Sequence, residues 1–584
     1  MVSSKSTPPQ VFLVAVLLSL KRAMFGVAAT SAVVNGLALT GSFFMLQVYD
    51  RVIPGRSFPT LVGLALVAAT LYIFQGLLEL VRSMLLLRVG LSVDEKFGRD
   101  VYQSLVLLPS RMQMPGDGMQ SVRDMDTVRA FLSGPGPTAL FDIPWMPFYL
   151  GLCFLFHPWI GVTALCGAMV LIGLTMLAEY KSRQPAKDAA RIAAERNALG
   201  EATRRNSEAV LAMGFAGQIA DKWNDVNQRY LANNLRASHV TGVIATTSKI
   251  VRMMLQSAVL AVGAILVIRQ EATGGIMIAS SILVSRALAP VELAVSQWKG
   301  FSAARDSWAR LIKLSQLLHA NERHVALPKP TATLQVENLQ LVPPGGKMPV
   351  VRGVSYQLHA GEALGVIGPS ASGKSSLVRG LVGLWQPAGG KVRLDGASLS
   401  QWDPQALGKS IGYLPQEVSL FAGTIAENIA RFDANAPSDK IISAARAAGV
   451  YELIVRLPDG FDTLLGEWGM TLSSGQRQRI ALARALYDDP FLVILDEPNS
   501  NLDGEGDIAL TDAILGVKAR GGVVVVVAHR PSALIGVDKV MVMASGQLQA
   551  FGPKEEILER SLKRSATPPT SPVRLIASTE DAAK

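Results

Sequence analysis

The chain has 584 residues, 49% of them hydrophobic and only 17% charged, with a mean hydropathy of +0.30. That balance is too apolar for a two-domain soluble enzyme and requires membrane spans. The net charge is +10 and uneven: residues 1–330 carry 32 Lys and Arg against 20 Asp and Glu, the remainder 24 against 26. The basic excess sits in the apolar half and flanks the spans, which favours cytoplasmic positive loops over a nucleic-acid-binding patch. Cys153 and Cys166 are the two cysteines, both in apolar segments, and read as small core residues, not a disulfide or a metal site.

Met1–Gln10 reads as disordered, and Val11–Leu20 as a short interfacial helix ahead of Lys21 and Arg22, with no cleavable signal sequence expected. Six spans follow, near residues 23–48, 58–80, 138–156, 159–177, 251–268 and 276–295. The second is expected to run on as a helix beyond Arg88. The connection from Arg88 to Pro135 holds six Lys and Arg and that from Glu179 to Lys249 eleven, whereas the alternate connections hold two, none and one. By the positive-inside rule the two long connections and both termini face the cytoplasm. Long charged helices on that side are expected to extend the spans, with tips able to dock on the C-terminal domain. Within the spans, Asn35, Arg286 and Glu292 are expensive in lipid; Asn35 is expected to face the bundle interior or a watery path, Arg286 either to do the same or to snorkel near a span end, and Glu292 to snorkel. The domain limits expected are 1–22 interfacial, 23–328 membrane, 329–560 nucleotide-binding and 561–584 a disordered tail.

The C-terminal half is organised by Gly368-Pro369-Ser370-Ala371-Ser372-Gly373-Lys374-Ser375, followed by Ser376. An apolar run, Ala363–Ile367, precedes this G-x-x-x-x-G-K-S stretch and a helix-like segment follows it. That is the context in which converging backbone N–H groups cradle phosphates, Lys374 reaches the β- and γ-phosphates and the Ser375 hydroxyl holds Mg²⁺. Phe491–Asp496 is an apolar run ending in an acid, as a buried strand delivering a carboxylate to Mg²⁺ must be. Glu497 comes next, placed to polarise the attacking water. Leu472-Ser473-Ser474-Gly475-Gln476 is a second glycine turn at a helix start. Gln416 follows Ile411–Pro415, and His529 follows five valines and Ala528.

Taken together these residues resemble the motif set of an ABC-transporter ATPase, in an α/β P-loop fold behind a six-span α-helical membrane domain. Gly368–Ser375 matches Walker A, Gln416 the Q-loop (a Mg²⁺ ligand as well as a catalytic-site residue), and Leu472–Gln476 the signature, with Ser474 for its first glycine. Asp496 closes Walker B, Glu497 matches the catalytic glutamate, Ser500-Asn501-Leu502-Asp503 the D-loop and His529 the switch histidine. The resemblance implies ATP and Mg²⁺ as cofactors. It also implies a homodimer in which the Walker A of one copy and Ser473, Ser474, Gly475, Gln476 and Asp503 of the other enclose each nucleotide. The family's adenine-stacking aromatic has no counterpart in Leu339–Pro343, which leaves the base to apolar packing, with Val342 as the candidate. Gly466-Glu467-Trp468-Gly469 resembles the exporter segment that touches the membrane domain.

Three further stretches narrow the resemblance: Phe44–Val52, Phe141–Pro147 and Phe156-His157-Pro158. They are similar to those of type I secretion ATPases, the branch that exports proteases and repeats-in-toxin proteins. With the first span near residue 23, the peptidase-like N-terminal domain of some relatives is not expected. This branch implies polypeptide cargo with a C-terminal secretion signal, a periplasmic adaptor, an outer-membrane channel, an inner-membrane location and no nucleic acid. An exporter of lipids or small molecules and an ATP-dependent membrane sensor are the alternatives that the residues leave open.

Overall fold

The computed structural model describes residues 9–111, 118–318, 327–466, 472–528 and 530–565. The chain divides into two compact units that meet in sequence between Ala320 and Asn321.

The first unit is helical and, among the described residues, contains six helical stretches long and apolar enough to cross a membrane. Four of them exceed a bilayer: Phe58–Arg111 has 54 residues, Pro158–Arg205 48, Ala216–Ile268 53 and Gly274–Leu318 45. A span needs about 20 residues, so each carries a polar extension, as the charged connections require. The N-terminal helix differs from expectation, running unbroken from Pro9 to Leu37 through Lys21 and Arg22. A second helix, Thr40–Gln47, ends the first span and passes into a π-helical turn at Val48–Val52. The third span is built in pieces, Gly136–Asp142, a 3₁₀ turn at Ile143–Trp145, and Met146–Phe156. Pro144 and Pro147 stand in the first turns of the later pieces, where a missing N–H costs nothing.

Polar residues inside this unit find one another. Asp142 accepts from Arg82 Nη1 at 3.1 and 3.2 Å and from Asn35 Nδ2 at 2.7 Å. Asn35 also donates to the Ser31 carbonyl at 2.8 Å, and Tyr149 OH donates to the Asn35 carbonyl at 2.7 Å. Three spans are thereby joined by one ion pair and its amide neighbour, and Asn35 faces the interior as expected. Glu292 does not simply snorkel, since its carboxylate lies 3.1 Å from Arg252 Nε of the fifth span. Arg286 is exposed on the isolated unit, away from its bundle interior. Cys153 is buried but Cys166 is exposed, so only one of the two belongs to the core.

The other stretches singled out in the sequence act as ties between helix ends. Asp50, in the π-helical turn, accepts from Gly275 N at 2.9 Å and Thr273 Oγ1 at 2.7 Å, capping the sixth span from a distance. A Cβ on Gly275 would stand 2.6 Å from that carboxylate, so a larger residue there would push Asp50 off its cap. His157 caps Pro158–Arg205 by accepting from Trp159 N at 3.3 Å, and its Nε2 lies 3.7 Å from Glu271. Asp50→Ala should lower the stability of the solubilised protein by about 1 kcal/mol, a typical cap contribution, read as a fall in melting temperature. On the polar extensions, Arg310 grips the buried Asp124 with two bonds of 2.7 and 2.6 Å, and Ser307 adds a third at 3.0 Å.

Among the described residues the second unit holds two large sheets and a two-stranded one, Gly423–Thr424 with Leu464–Leu465. A six-stranded sheet runs Gln547–Pro553, Lys539–Ala544, Ala363–Ile367, Val523–Val527, Leu492–Asp496, Ile411–Leu414; the last five are parallel and the first is antiparallel. Leu492–Asp496 and Val523–Val527 are buried at every residue, which explains why both read as unbroken apolar runs. One apolar cluster includes Leu377, Ile494 and Val525 and another Ile480, Leu495 and Val526, so alternate residues of the same strands pack into different cores. The second sheet is antiparallel and four-stranded, Val351–His359, Thr333–Leu341, Gly389–Leu394 and Ala397–Ser398.

Candidate nucleotide site

The phosphate loop leaves the middle of the large sheet. Ala363–Ile367 ends between Lys539–Ala544 and Val523–Val527, and the helix Lys374–Leu381 begins at Gly373, whose φ is +97°. Gly368, at φ +153°, lies so close to the neighbouring strand that a Cβ would stand 2.2 Å from the Met543 carbonyl. Ala371 holds φ +62° within the loop. Pro369, Ser370, Ala371 and Ser372 thus curl over the N-terminus of a helix that continues through Ser375 and Ser376, where N–H groups point outward.

Lys374 is 5% exposed, and its Nζ donates to the carbonyls of Gly368 and Pro369 at 2.8 and 3.0 Å. Burial pushes its ammonium below the ordinary value, and Glu497 and Asp496 pull it back up. The lysine therefore sits within the field of both acids. Asp496 ends the strand beside Val523–Val527, with Val527 as its register partner, and is 4% exposed. Burial pushes its carboxyl above the usual range, with Glu497 adding to the rise, while a hydrogen bond from Ser375 opposes it. Asp496 Oδ1 is buried without a hydrogen-bond partner. An orphaned carboxylate oxygen next to a serine hydroxyl and near a lysine fits a hard divalent cation with oxygen ligands, and Mg²⁺ suits this donor set.

Glu497 begins the turn after that strand with φ +51°, a left-handed conformation unusual for a side chain of this size. Its N–H donates to Val527 O at 3.0 Å, and its carbonyl accepts from Ser500 N at 3.3 Å. Gln416 is exposed two residues beyond Ile411–Leu414, a strand whose Leu414 pairs with Leu495, so the chain brings it to the same sheet edge as Asp496 and Glu497. His529 and residues 467–471, and so most of Gly466-Glu467-Trp468-Gly469, lie outside the described residues.

The signature forms the start of a helix, Ser474–Leu486. Ser473 caps it, accepting from Gln476 N at 3.2 Å, and Gln476 Oε1 accepts from Ser473 N at 2.9 Å. This capping box presents Ser474 and Gly475 at a helix N-terminus. Gly475 is needed because a Cβ there would meet the Asn501 carbonyl at 2.9 Å. Asp503 caps the helix Gly504–Ala519 through Gly506 N at 2.8 Å and pairs with Arg479 at 2.5 Å. Gly506 N and Arg479 hold its carboxyl below the usual range. Sequence reasoning passed over three residues here: Arg479, the buried Gln478, and Asn499, whose Nδ2 donates to Ser532 Oγ at 3.1 Å. A signal existed for Gln478, a polar residue on the buried stripe of Ala481, Leu482 and Ala485.

A family model described as ABC transporter matches residues 351–500, and one described as ABC transporter transmembrane region matches residues 24–290. The chain is 52% identical over 562 residues to "Type I secretion system ATP-binding protein PrsD" of Rhizobium meliloti (strain 1021), covering 96% of this chain and 97% of that protein. It belongs to the ABC transporters, in their type I secretion branch. "Leukotoxin translocation ATP-binding protein LktB" of Mannheimia haemolytica is 28% identical over 532 residues, 90% of this chain and 74% of that one. In fold, this ABC transporter is similar to a bacterial Atm1-family ABC exporter with ATP bound, with a TM-score of 0.79 and 20% identity over 94% of this chain and 99% of that one. As an ABC transporter it is a multi-pass membrane protein that binds ATP and couples its hydrolysis to transport.

The unpartnered Asp496 oxygen has a consequence for stability. Asp496→Asn should raise the melting temperature of the nucleotide-free protein, because an ionised buried carboxyl with a raised pKa destabilises the fold. The penalty is present above the unfolded carboxyl pKa, so the gain should shrink as pH falls through the carboxylate range. The same variant should lose the stabilisation that added Mg²⁺ and ATP confer on the parent.

Proposed function

We propose that this chain is the inner-membrane ABC component of a type I secretion system, exporting polypeptides that carry a C-terminal secretion signal. The observation that carries this reading is the 52% identity to PrsD, extending over both the membrane and the ATPase halves. LktB, a leukotoxin translocation protein, supports a polypeptide cargo. The basic long connections put the ATPase domain on the cytoplasmic side. Two copies act together, with a periplasmic adaptor and an outer-membrane channel as partners.

Lys374 and the N–H groups of Gly368 and Ser370–Ser376, in the loop that Pro369 helps to shape, bind the β- and γ-phosphates of one ATP. Ser375, Asp496 and Gln416 would hold Mg²⁺, which supplies charge neutralisation at the phosphoryl oxygens when bound. Glu497 orients the attacking water and takes up its proton, and His529 contacts the γ-phosphate. Ser473, Ser474, Gly475 and Gln476 of the second copy, with its Asp503 near the seam, close over the nucleotide through the helix N-terminus. Val342 contributes apolar packing to the base, being half-buried in a segment without an aromatic ring.

Arg286 supports a watery path through the spans. It stands twelve residues into the helix Gly274–Leu318, about 18 Å from its start and so near mid-bilayer. An exposed guanidinium at that depth is tolerated against water or protein, not lipid.

ATPase activity in lipid nanodiscs tests the cargo. A synthetic C-terminal segment of a protein secreted by the same cell should stimulate turnover, and a scrambled segment should not. Stimulation by lipids or small amphiphiles alone would favour the lipid or small-molecule exporter, and indifference to every cargo the sensor.

A further inference from the structure

Gln478 has no part in the phosphate contacts described above, yet it is 3% exposed in the signature helix and both ends of its amide are engaged. Its Nε2 donates to the Pro498 carbonyl and, at 3.5 Å, to the Glu497 carbonyl, while its Oε1 accepts from Asn501 N at 3.2 Å. All three partners are backbone groups of the turn that follows Asp496. That turn holds Glu497 at φ +51°. Gly475, at the start of the same helix, abuts the Asn501 carbonyl. A carboxamide is the side chain that can donate to one limb of the turn and accept from the other at once; a methionine of similar volume does neither, and a glutamate only accepts.

We propose that Gln478 is a positioning residue that sets the Glu497 carboxylate from the signature helix, and so links the two ATP sites of a dimer within one chain. In the two-copy reading, on which this second clause rests, a chain's signature serves one nucleotide and its Glu497 the other. A nucleotide seated against Ser474 and Gly475 is then felt, through Gln478, at the catalytic carboxylate of the opposite site. The link is mechanical, through three hydrogen bonds to a turn held in a left-handed conformation, and needs no movement of the phosphate loop.

The test uses the full-length protein in nanodiscs, with equilibrium ATP binding measured beside turnover. Gln478→Met should lower kcat about 10-fold or more, a loss of the order that displaced catalytic groups produce, and leave the Kd for ATP within about twofold. Gln478→Glu, which retains only the acceptor, should fall between Met and the parent or match Met, and it serves if Met does not fold. Mixed dimers carrying two affinity tags and one Glu497→Gln chain separate the routes. Gln478→Met on the Glu497→Gln chain should cost nothing further, whereas on the other chain it should lower the remaining turnover by the same factor of about 10 or more. Equal loss in both arms, weaker ATP binding at unchanged kcat, or no loss in any variant overturns the proposal. If the two tags never co-purify, the two-copy reading fails, and the kcat-to-Kd split still decides whether Gln478 positions Glu497.

Discussion

Glu497→Gln should reduce ATP turnover by a factor of about 10² to 10⁴, the usual contribution of a positioned proton acceptor, and leave ATP binding intact. The substitution keeps the shape of the side chain, so the left-handed turn and the bonds from Glu497 N to Val527 and from Ser500 to the Glu497 carbonyl should persist. It also removes a negative charge that helps hold Lys374 protonated and that helps raise the Asp496 pKa. Removing that charge lessens the repulsion that a bound triphosphate would meet, while the weaker support for the Lys374 ammonium works the other way. The measurements are steady-state ATPase assays and equilibrium nucleotide binding on the same preparation. Full turnover in the variant would remove Glu497 from its role.

Arg82→Ala should be among the most destabilising single changes in the membrane unit, at about 3–5 kcal/mol, because it strands Asp142 in the bundle. Asp142 would keep the bond from Asn35 but lose its countercharge. Replacing both members, with Arg82→Met and Asp142→Asn, should recover much of the loss, since the cost lies in the unpaired charge and not in the absence of the pair. Melting temperatures of the two single variants and the double variant form a cycle that isolates the coupling. Additive losses would mean that the pair, at 3.1 Å in the structure, is not what joins these spans.

Much of this could be read from the sequence because the signals were local. The phosphate loop, the apolar run into Asp496 and the five valines before Ala528 each carry strand, turn or helix within a few residues, and the sheet places them side by side. The same holds for the number of spans, which follows from window hydropathy alone. What the sequence hid was pairing over distance. Arg82 and Asp142 are sixty positions apart, Asp50 and Gly275 more than two hundred, and nothing in their neighbourhoods names the partner. Glu292 was read from its position near a span end, when its partner, Arg252, is on another helix. The N-terminal segment was read as a separate short helix because Lys21-Arg22 interrupts the apolar run, but two basic residues are good helix formers and do not end one. Gln476 and Asp503, read as nucleotide contacts, spend side-chain bonds on helix caps, which fixes the backbone that Ser474 and Gly475 present.

The shared nucleotide site is tested most directly by complementation. Lys374→Ala chains and Ser474→Arg chains are each inactive alone if every site needs the phosphate loop of one copy and the signature of another; Ser474 is exposed, so arginine there leaves the fold intact. Co-expressed and purified as mixed dimers in nanodiscs, they assemble one pocket with both parts unaltered. The account predicts that ATPase activity reappears in the mixed dimers and in neither parent. Mixed dimers as inactive as their parents, or a Ser474→Arg chain that hydrolyses ATP at the parental rate unaided, would contradict it.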